Sequence, residues 1–407
     1  MRPISVVKTV FYQPRATIIG AFLLLSVLSV SANPFVIPTP TEQAAEYNDL
    51  SNFVWGTNQF LALLLVPIAL LILELKTRIS PRLKYGKYLT FVIFAAAFFI
   101  LDRIIQLPLD RIRTNALNKI EHEAGLPVQQ WILSQFVQAL PSIFLSILVA
   151  LLIYWLINKS PRKWWLWATG VFSILFLLYL VFEPYTTSHK PLGQTPVEAK
   201  IVAIAEQVGI PIDSIALEDC EPFDSCEIAH VTGLGPTRLI LLNKGLPDAY
   251  PESWTLQTFA HESKHYIKDD NLFGWSVLTF VFLAFFFLLD RICRMIIRRF
   301  SNQLGFTSIG QPAALPLIIL VLNTMYLIAL PPINMFSQHV EFEADRYGLE
   351  LTQQNQAFAE MVSNWTTNSK HRVPDPGLFF MLFRSSHPSD AARISFANEY
   401  KSKDKIE

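Results

Sequence analysis

The sequence predicts a mainly α-helical membrane protein, with about seven transmembrane helices and a polar α+β portion divided by the last two of them. Three observations carry this prediction. Apolar residues fill 52% of 407 positions and charged ones only 16%, against roughly 25% charged in soluble domains. Seven apolar stretches approach or reach the ~20 residues a helix needs to cross the hydrocarbon core. Two polar regions, about 185–271 and 336–407, interrupt that pattern.

The first stretch, 16–32, follows Arg2, Lys8 and Arg15 and ends in Val30-Ser31-Ala32, which also resembles a signal-peptide cleavage site. We read it as a retained anchor. The others lie near 53–75, 86–106, 137–158, 164–184, 272–290 and 313–335. The chain thus divides into 1–184, helices one to five with their loops; 185–271, the first polar part; 272–335, helices six and seven; and 336–407, the second polar part. Lys and Arg accumulate in the short loops on the cytoplasmic side. Loop 33–52 has none, whereas Lys76, Arg78, Arg82, Lys84 and Lys87 crowd the next. Lys159, Arg162 and Lys163 fill the fourth loop, and Arg291, Arg294, Arg298 and Arg299 the sixth. The N-terminus is then cytoplasmic, and both polar regions face the opposite side. Loop 107–136, with Arg111, Arg113 and Lys119, runs against the trend.

Net charge is +0 from 33 basic and 33 acidic side chains, so the surplus that neutralises phosphates is missing and no nucleic-acid partner is expected. Three cysteines are too few for a disulfide scaffold, and none forms a CxxC pair. Cys220 and Cys226 share one polar loop and form either a small disulfide in an oxidising compartment or two free thiols.

Within the first polar part, Val197–Val208 reads as an amphipathic helix with Glu198, Lys200 and Glu206 outward, closed by Gly209 and Pro211. Ile228–Val231 and Arg238–Leu242 flank Thr232-Gly233-Leu234-Gly235-Pro236, a turn-rich stretch suited to a hairpin. Ser253 is the expected N-cap of a helix over Trp254–Tyr266, with Leu256, Phe259 and Ala260 on its apolar side.

That helix carries the chemistry. His261 and His265 are i and i+4, so both imidazoles project from one face and can grip one zinc ion. Glu262 stands beside them as the general base that takes a proton from the activated water. A catalytic zinc takes three protein ligands, and Glu341 is the expected third. Asp345, again at i+4 from Glu341, is expected to reach a ligating imidazole and fix its orientation. His339 is a weaker rival, because i and i+2 side chains diverge on a helix. Glu343 reads as a solvated residue. In His387-Pro388-Ser389 with Arg393, the histidine could stabilise an oxyanion and the arginine pair with a carboxylate of the site. His122, His189, His230 and His371 read by default as surface or structural.

These motifs resemble the type I CAAX prenyl protease family of membrane gluzincins, which extends to the HtpX-like proteases. Phe182-Glu183-Pro184-Tyr185, Pro191-Leu192, Val231 to Gly235, His261 to His265, Glu341 to Asp345 and His387 to Arg393 follow the family order. Leu107-Pro108-Leu109, Glu121 to Leu126 and Trp164-Trp165 favour the prenyl-protease branch. The resemblance implies a helical barrel around a water-filled chamber, with a zincin-like domain split by the last two helices. It implies one zinc ion on His261, His265 and Glu341, Glu262 as base, Asp345 behind the ligands, and His387 and Arg393 stabilising substrate or transition state. It also implies an edge strand where Ala229, His230 and Val231 meet an extended peptide. The family usually has Asn-Ala where this chain has Ala229-His230. The expected function is a membrane zinc metalloendopeptidase acting on peptide or protein substrates, membrane-associated ones included, with an HtpX-like quality-control protease as the alternative. The expected location is a bacterial-type inner membrane with the catalytic part on the non-cytoplasmic side. From other classes come a metal-binding transporter and a catalytically silent peptide-binding relative. Against the transporter, the ligands sit at helix ends beside a polar domain rather than at the bilayer midplane; Asp102, Asp290 and Asn323, near or within spans, read as structural or chamber-lining.

Overall fold

The computed structural model describes residues 34–77, 85–219, 228–246 and 250–400. The chain divides into two units, Met1–Pro34 and Phe35–Glu407, and every element below belongs to the second. The apolar stretch 16–32 and the pair Cys220 and Cys226 lie outside the described residues.

Helix α1 (Glu42–Asn58) passes through a π-helical segment, Gln59–Leu65, into α2 (Val66–Thr77). Such wider turns release backbone carbonyls from the usual ladder, and here Asn323 Nδ2 donates to Leu63 O at 2.9 Å. Helices α3 (Lys87–Glu121), α4 (Val128–Lys159) and α5 (Trp164–Thr186) follow. With the two long helices nearer the C-terminus they give six described helices long and apolar enough to cross a membrane. Their outer faces are apolar where a soluble protein would be polar: Phe144 is 64% exposed, and Phe280 and Ile328 71%. Helices run further than the apolar stretches foretell, because the winding continues where the pattern has turned polar. Arg111, Arg113 and Lys119, expected in a loop, sit on α3. Inside the bundle Asp290 is buried, accepting from Trp164 Nε1 at 2.6 Å and Arg294 Nε at 2.8 Å, so it joins two helices as a bonded polar group.

The polar part opens with β1 (His189–Pro191) and α6 (Pro196–Val208). Thr195 and Glu198 form a reciprocal capping box, and Gly209 ends the helix in the left-handed conformation at φ 75°. Glu198 is therefore not outward as expected. Its carboxylate folds back onto Gly193 N and Thr195 N, at 3.0 and 2.8 Å, and is buried. Strands β2 (Ile215–Glu218), β3 (Ala229–Thr232) and β4 (Leu239–Asn243) complete a sheet of order β1-β2-β4-β3, parallel only between β2 and β4. The expected hairpin is β3 with β4, and among the described residues β3 is a sheet edge. Gly233 turns out of β3 at φ 79°, where a Cβ would meet Thr237 O at 2.2 Å. Ile201, Ala205, Ile215, Ile240, Leu242 and Phe259 form the core between helices and sheet.

Helix α7 (Glu252–Lys268) starts before Ser253, which makes no cap. Pro251 precedes it with φ −54°, and its carbonyl accepts from Trp254 N and Thr255 N. At Asp269 the backbone turns left-handed, φ 55°, and α8 (Asp270–Leu304) begins at once. Helix α9 (Leu315–Thr352) carries the last apolar stretch and, in one continuous run through Pro331 and Pro332, Glu341 and Asp345. Three shorter helices, α10 (Asn355–Asn368), α11 (Leu378–Phe383) and α12 (Asp390–Glu399), close the chain.

Candidate metal centre

Helix α7 buries Leu256, Phe259 and Ala260 and turns His261 and His265 toward α9. The close approach of α9 requires Gly348, where a Cβ would stand 2.5 Å from Gln257 Nε2. Glu341 and Asp345 then lie against the two histidines. Glu341 Oε2 is 3.2 Å from His261 Nε2 and 3.8 Å from His265 Nε2, and the two Nε2 atoms are 3.2 Å apart. Among the described residues these three form the one His, Cys, Asp and Glu group whose donor atoms converge, all within 4.8 Å.

The donor set fits zinc. Bonds of ~2.0–2.1 Å in tetrahedral geometry separate ligand atoms by about 3.3–3.4 Å, close to the spacings found here. Both imidazoles also have their far nitrogens occupied: His261 Nδ1 lies 3.0 Å from Asp345 Oδ1, and His265 Nδ1 lies 2.7 Å from Asp270 Oδ2. A proton held at Nδ1 leaves each Nε2 a lone pair aimed at the same point.

Each carboxylate behind the two histidines is itself held. Arg393 Nε and Nη2 donate to the two oxygens of Asp345 at 2.7 and 2.6 Å, a bidentate fork. Lys264 Nζ donates to Asp270 Oδ2 at 2.8 Å. Burial would lower His261, but its bonds to Asp345 and Glu341 outweigh that and raise it to about 10 in the metal-free chain. Burial drives the Glu262 carboxyl above its ordinary range, against the pull of the two histidines. Burial likewise holds His387 below its ordinary value, opposed by the Glu341 charge. His387 Nε2 stands 3.3 Å from Glu341 Oε2.

Beside these groups opens a cavity of about 1010 Å³, lined among others by Ala229, His261, Glu262, His387 and Arg393. Ala229, His230 and Val231 are on edge strand β3. Asn271, at the start of α8, donates to Val231 O at 3.2 Å and Gly233 O at 3.0 Å. His339 is exposed on α9 and is not in the converging group. Glu343 pairs with Arg346, and His371 with Glu121 at 2.9 Å. His122 ends α3 in the left-handed region at φ 60°, and His189 lies exposed on β1. Sequence reasoning missed Asp270 and Asn271. Their acidic and amide side chains directly after the His261–His265 helix were the available signal.

The pattern of Peptidase family M48 matches residues 191–401, which spans every residue of this centre. The chain belongs to peptidase family M48. A second pattern, CAAX prenyl protease N-terminal, five membrane helices, matches residues 45–188 of this M48 member. It is 26% identical over 388 residues to the uncharacterized metalloprotease YhfN of Bacillus subtilis (strain 168), covering 92% of this chain and 89% of the relative. A CAAX prenyl protease 1 homolog of Dictyostelium discoideum is 27% identical over 216 residues, 48% of this chain and 47% of that one. The crystal structure of S. mikatae Ste24p matches with a TM-score of 0.60 at 21% identity, covering 78% of this chain and 77% of that one, a likeness of fold. This M48 peptidase is an integral multi-pass membrane protein of the metalloprotease class.

Proposed function

We propose that this M48 peptidase is a zinc endopeptidase, with the ion held by His261, His265 and Glu341, that hydrolyses polypeptides entering the cavity beside it. The observation that carries the reading is the convergence of two imidazole nitrogens and one carboxylate oxygen next to a buried carboxyl, Glu262. Held by His261, His265 and Glu341, a zinc ion would polarise the scissile carbonyl and lower the pKa of a water molecule. Glu262 would take a proton from the attacking water as its oxygen bonds to the scissile carbonyl carbon and would pass it to the amide nitrogen as the C–N bond breaks, which its burial-raised affinity for a proton suits. His387, opening onto the cavity, donates from its imidazole to the developing oxyanion. Arg393 acts through Asp345, which orients His261, and Asp270 orients His265 in the same way.

The substrate lies along β3. Ile228 O pairs inward with Asn243 N at 2.9 Å, so alternation along an antiparallel strand turns the backbone groups of Ala229 and Val231 to the open edge. Asn271 occupies Val231 O and so pins the strand itself. An extended peptide adds there by backbone bonds, with Ala229, His230 and Val231 as its contacts. The N-terminal five-helix match favours the prenyl-protease branch over the HtpX-like one. The Lys and Arg bias of the loops supports a bacterial-type inner membrane with the centre on the non-cytoplasmic side. The unit of activity joins 185–271 and 336–407 across the helix pair 272–335.

Metal analysis with a cleavage assay tests this. The purified chain should hold one zinc per molecule, lose cleavage with a chelator and regain it with zinc, and Glu341→Gln should lower zinc retention. Cleavage that survives complete metal removal contradicts the proposal.

A further inference from the structure

Helix α8 leaves the apolar segment 272–290 with one face that turns abruptly basic. Nineteen residues of helix span ~28 Å, close to the ~30 Å hydrocarbon thickness, so the segment that follows lies at headgroup level. There Arg291, Arg294, Met295, Arg298 and Arg299 line a cavity of about 380 Å³. Their spacing of three, four, seven and eight residues puts all five on one helix face. The same face continues back toward the membrane through Leu288 and Phe287, which are 45% and 37% exposed.

The charges there are largely uncompensated. Arg294 is committed, donating to Asp290 at 2.8 Å and to the Pro161 carbonyl. Arg291 lies over the Phe287 ring, 4.9 Å from its centre. Among the described residues no carboxylate pairs with Arg291, Arg298 or Arg299, and Arg291, Arg298 and Arg299 are all exposed. Three guanidinium groups converging on one hollow repel one another unless an anion sits between them, and their planar forks match phosphate oxygens bidentately. An apolar strip leading into a cationic hollow has the shape of one ligand class, a lipid with acyl chains on one side and a charged phosphodiester on the other.

We propose that this face of α8 is a binding site for the phosphodiester headgroup of an anionic phospholipid, with Arg291, Arg298 and Arg299 on the phosphate and Phe287, Leu288 and Met295 along the acyl chains. The site is independent of the peptidase centre. The full chain, purified in neutral detergent, is titrated with dioleoylphosphatidylglycerol, with dioleoylphosphatidylcholine of the same acyl composition, or with inorganic phosphate. Thermal unfolding and the lipid retained in native mass spectra are read. Phosphatidylglycerol should be retained on the order of tenfold more tightly than phosphatidylcholine and should raise Tm further. Arg298→Gln with Arg299→Gln should remove that preference, and Arg298→Lys with Arg299→Lys should keep part of it. Equal effects of the two lipids on the wild-type chain overturn the proposal. So does a preference that survives the glutamine pair, or inorganic phosphate reproducing the whole shift.

Discussion

His261 and His265 were legible as a converging pair because an i, i+4 repeat fixes two side chains on one helical face whatever the surrounding fold. Glu341 and Asp345 were singled out by the same repeat, and the structure sets them against the first pair from another helix. Asp270 escaped for a physical reason. The left-handed Asp269 breaks the helix between His265 and Asp270, so no periodic spacing connects two groups only 2.7 Å apart. Asp270 is also what keeps the buried Lys264 ammonium paired. Asp270→Asn preserves shape while removing that charge. It should weaken zinc binding or lower kcat/KM by about 10–100-fold with the fold intact, checked by zinc titration beside circular dichroism; unchanged affinity and activity contradict the role given to this carboxylate.

Elements were legible where local chemistry closes on itself. The glycine after Val208 and the turn-rich run between β3 and β4 each belong to a few neighbouring residues, and each marks a boundary the sequence predicts; the capping box of Thr195 with Glu198 was missed, Glu198 having been read as outward. Boundaries drifted where distant packing decides. Helix α9 continues past Pro331 and Pro332, and α3 carries arginines beyond the apolar stretch, because neighbouring helices hold turns that composition would end. Glu198 gives this scale its test. Burial pushes its carboxyl up, but bonds from Thr195 and Gly193 outweigh this and hold it below the ordinary range. A folded value below the unfolded one stabilises the protein above the unfolded pKa of about 4.3, an advantage lost as pH falls through the folded value. Glu198→Gln should therefore cost about 1 kcal/mol near neutral pH, and the Tm gap to wild type should close as pH falls below about 4. A gap that does not change with pH contradicts the capping account.

At the scale of the whole molecule, the membrane class and the number of described spans followed from composition and segment length, since crossing a bilayer imposes a minimum apolar length on every spanning helix. Which helices touch which did not follow, because no local pattern says that α7 and α9 cross at Gly348. The side of the membrane rests on loop charge. A reporter that is active only outside the cytoplasm, fused after Glu407, should give signal, and activity of a cytoplasm-only reporter there contradicts the orientation. In the proposed function, residues some eighty positions apart, separated by two membrane helices, assemble one zinc centre that Glu262 makes hydrolytic. Its most direct test is Glu262→Gln in the full chain, with zinc content and peptide cleavage measured on the same preparation. The variant should hold about one zinc per chain, as in wild type, with cleavage reduced by about 10²–10⁴-fold. Cleavage at the wild-type rate with zinc in place would contradict it.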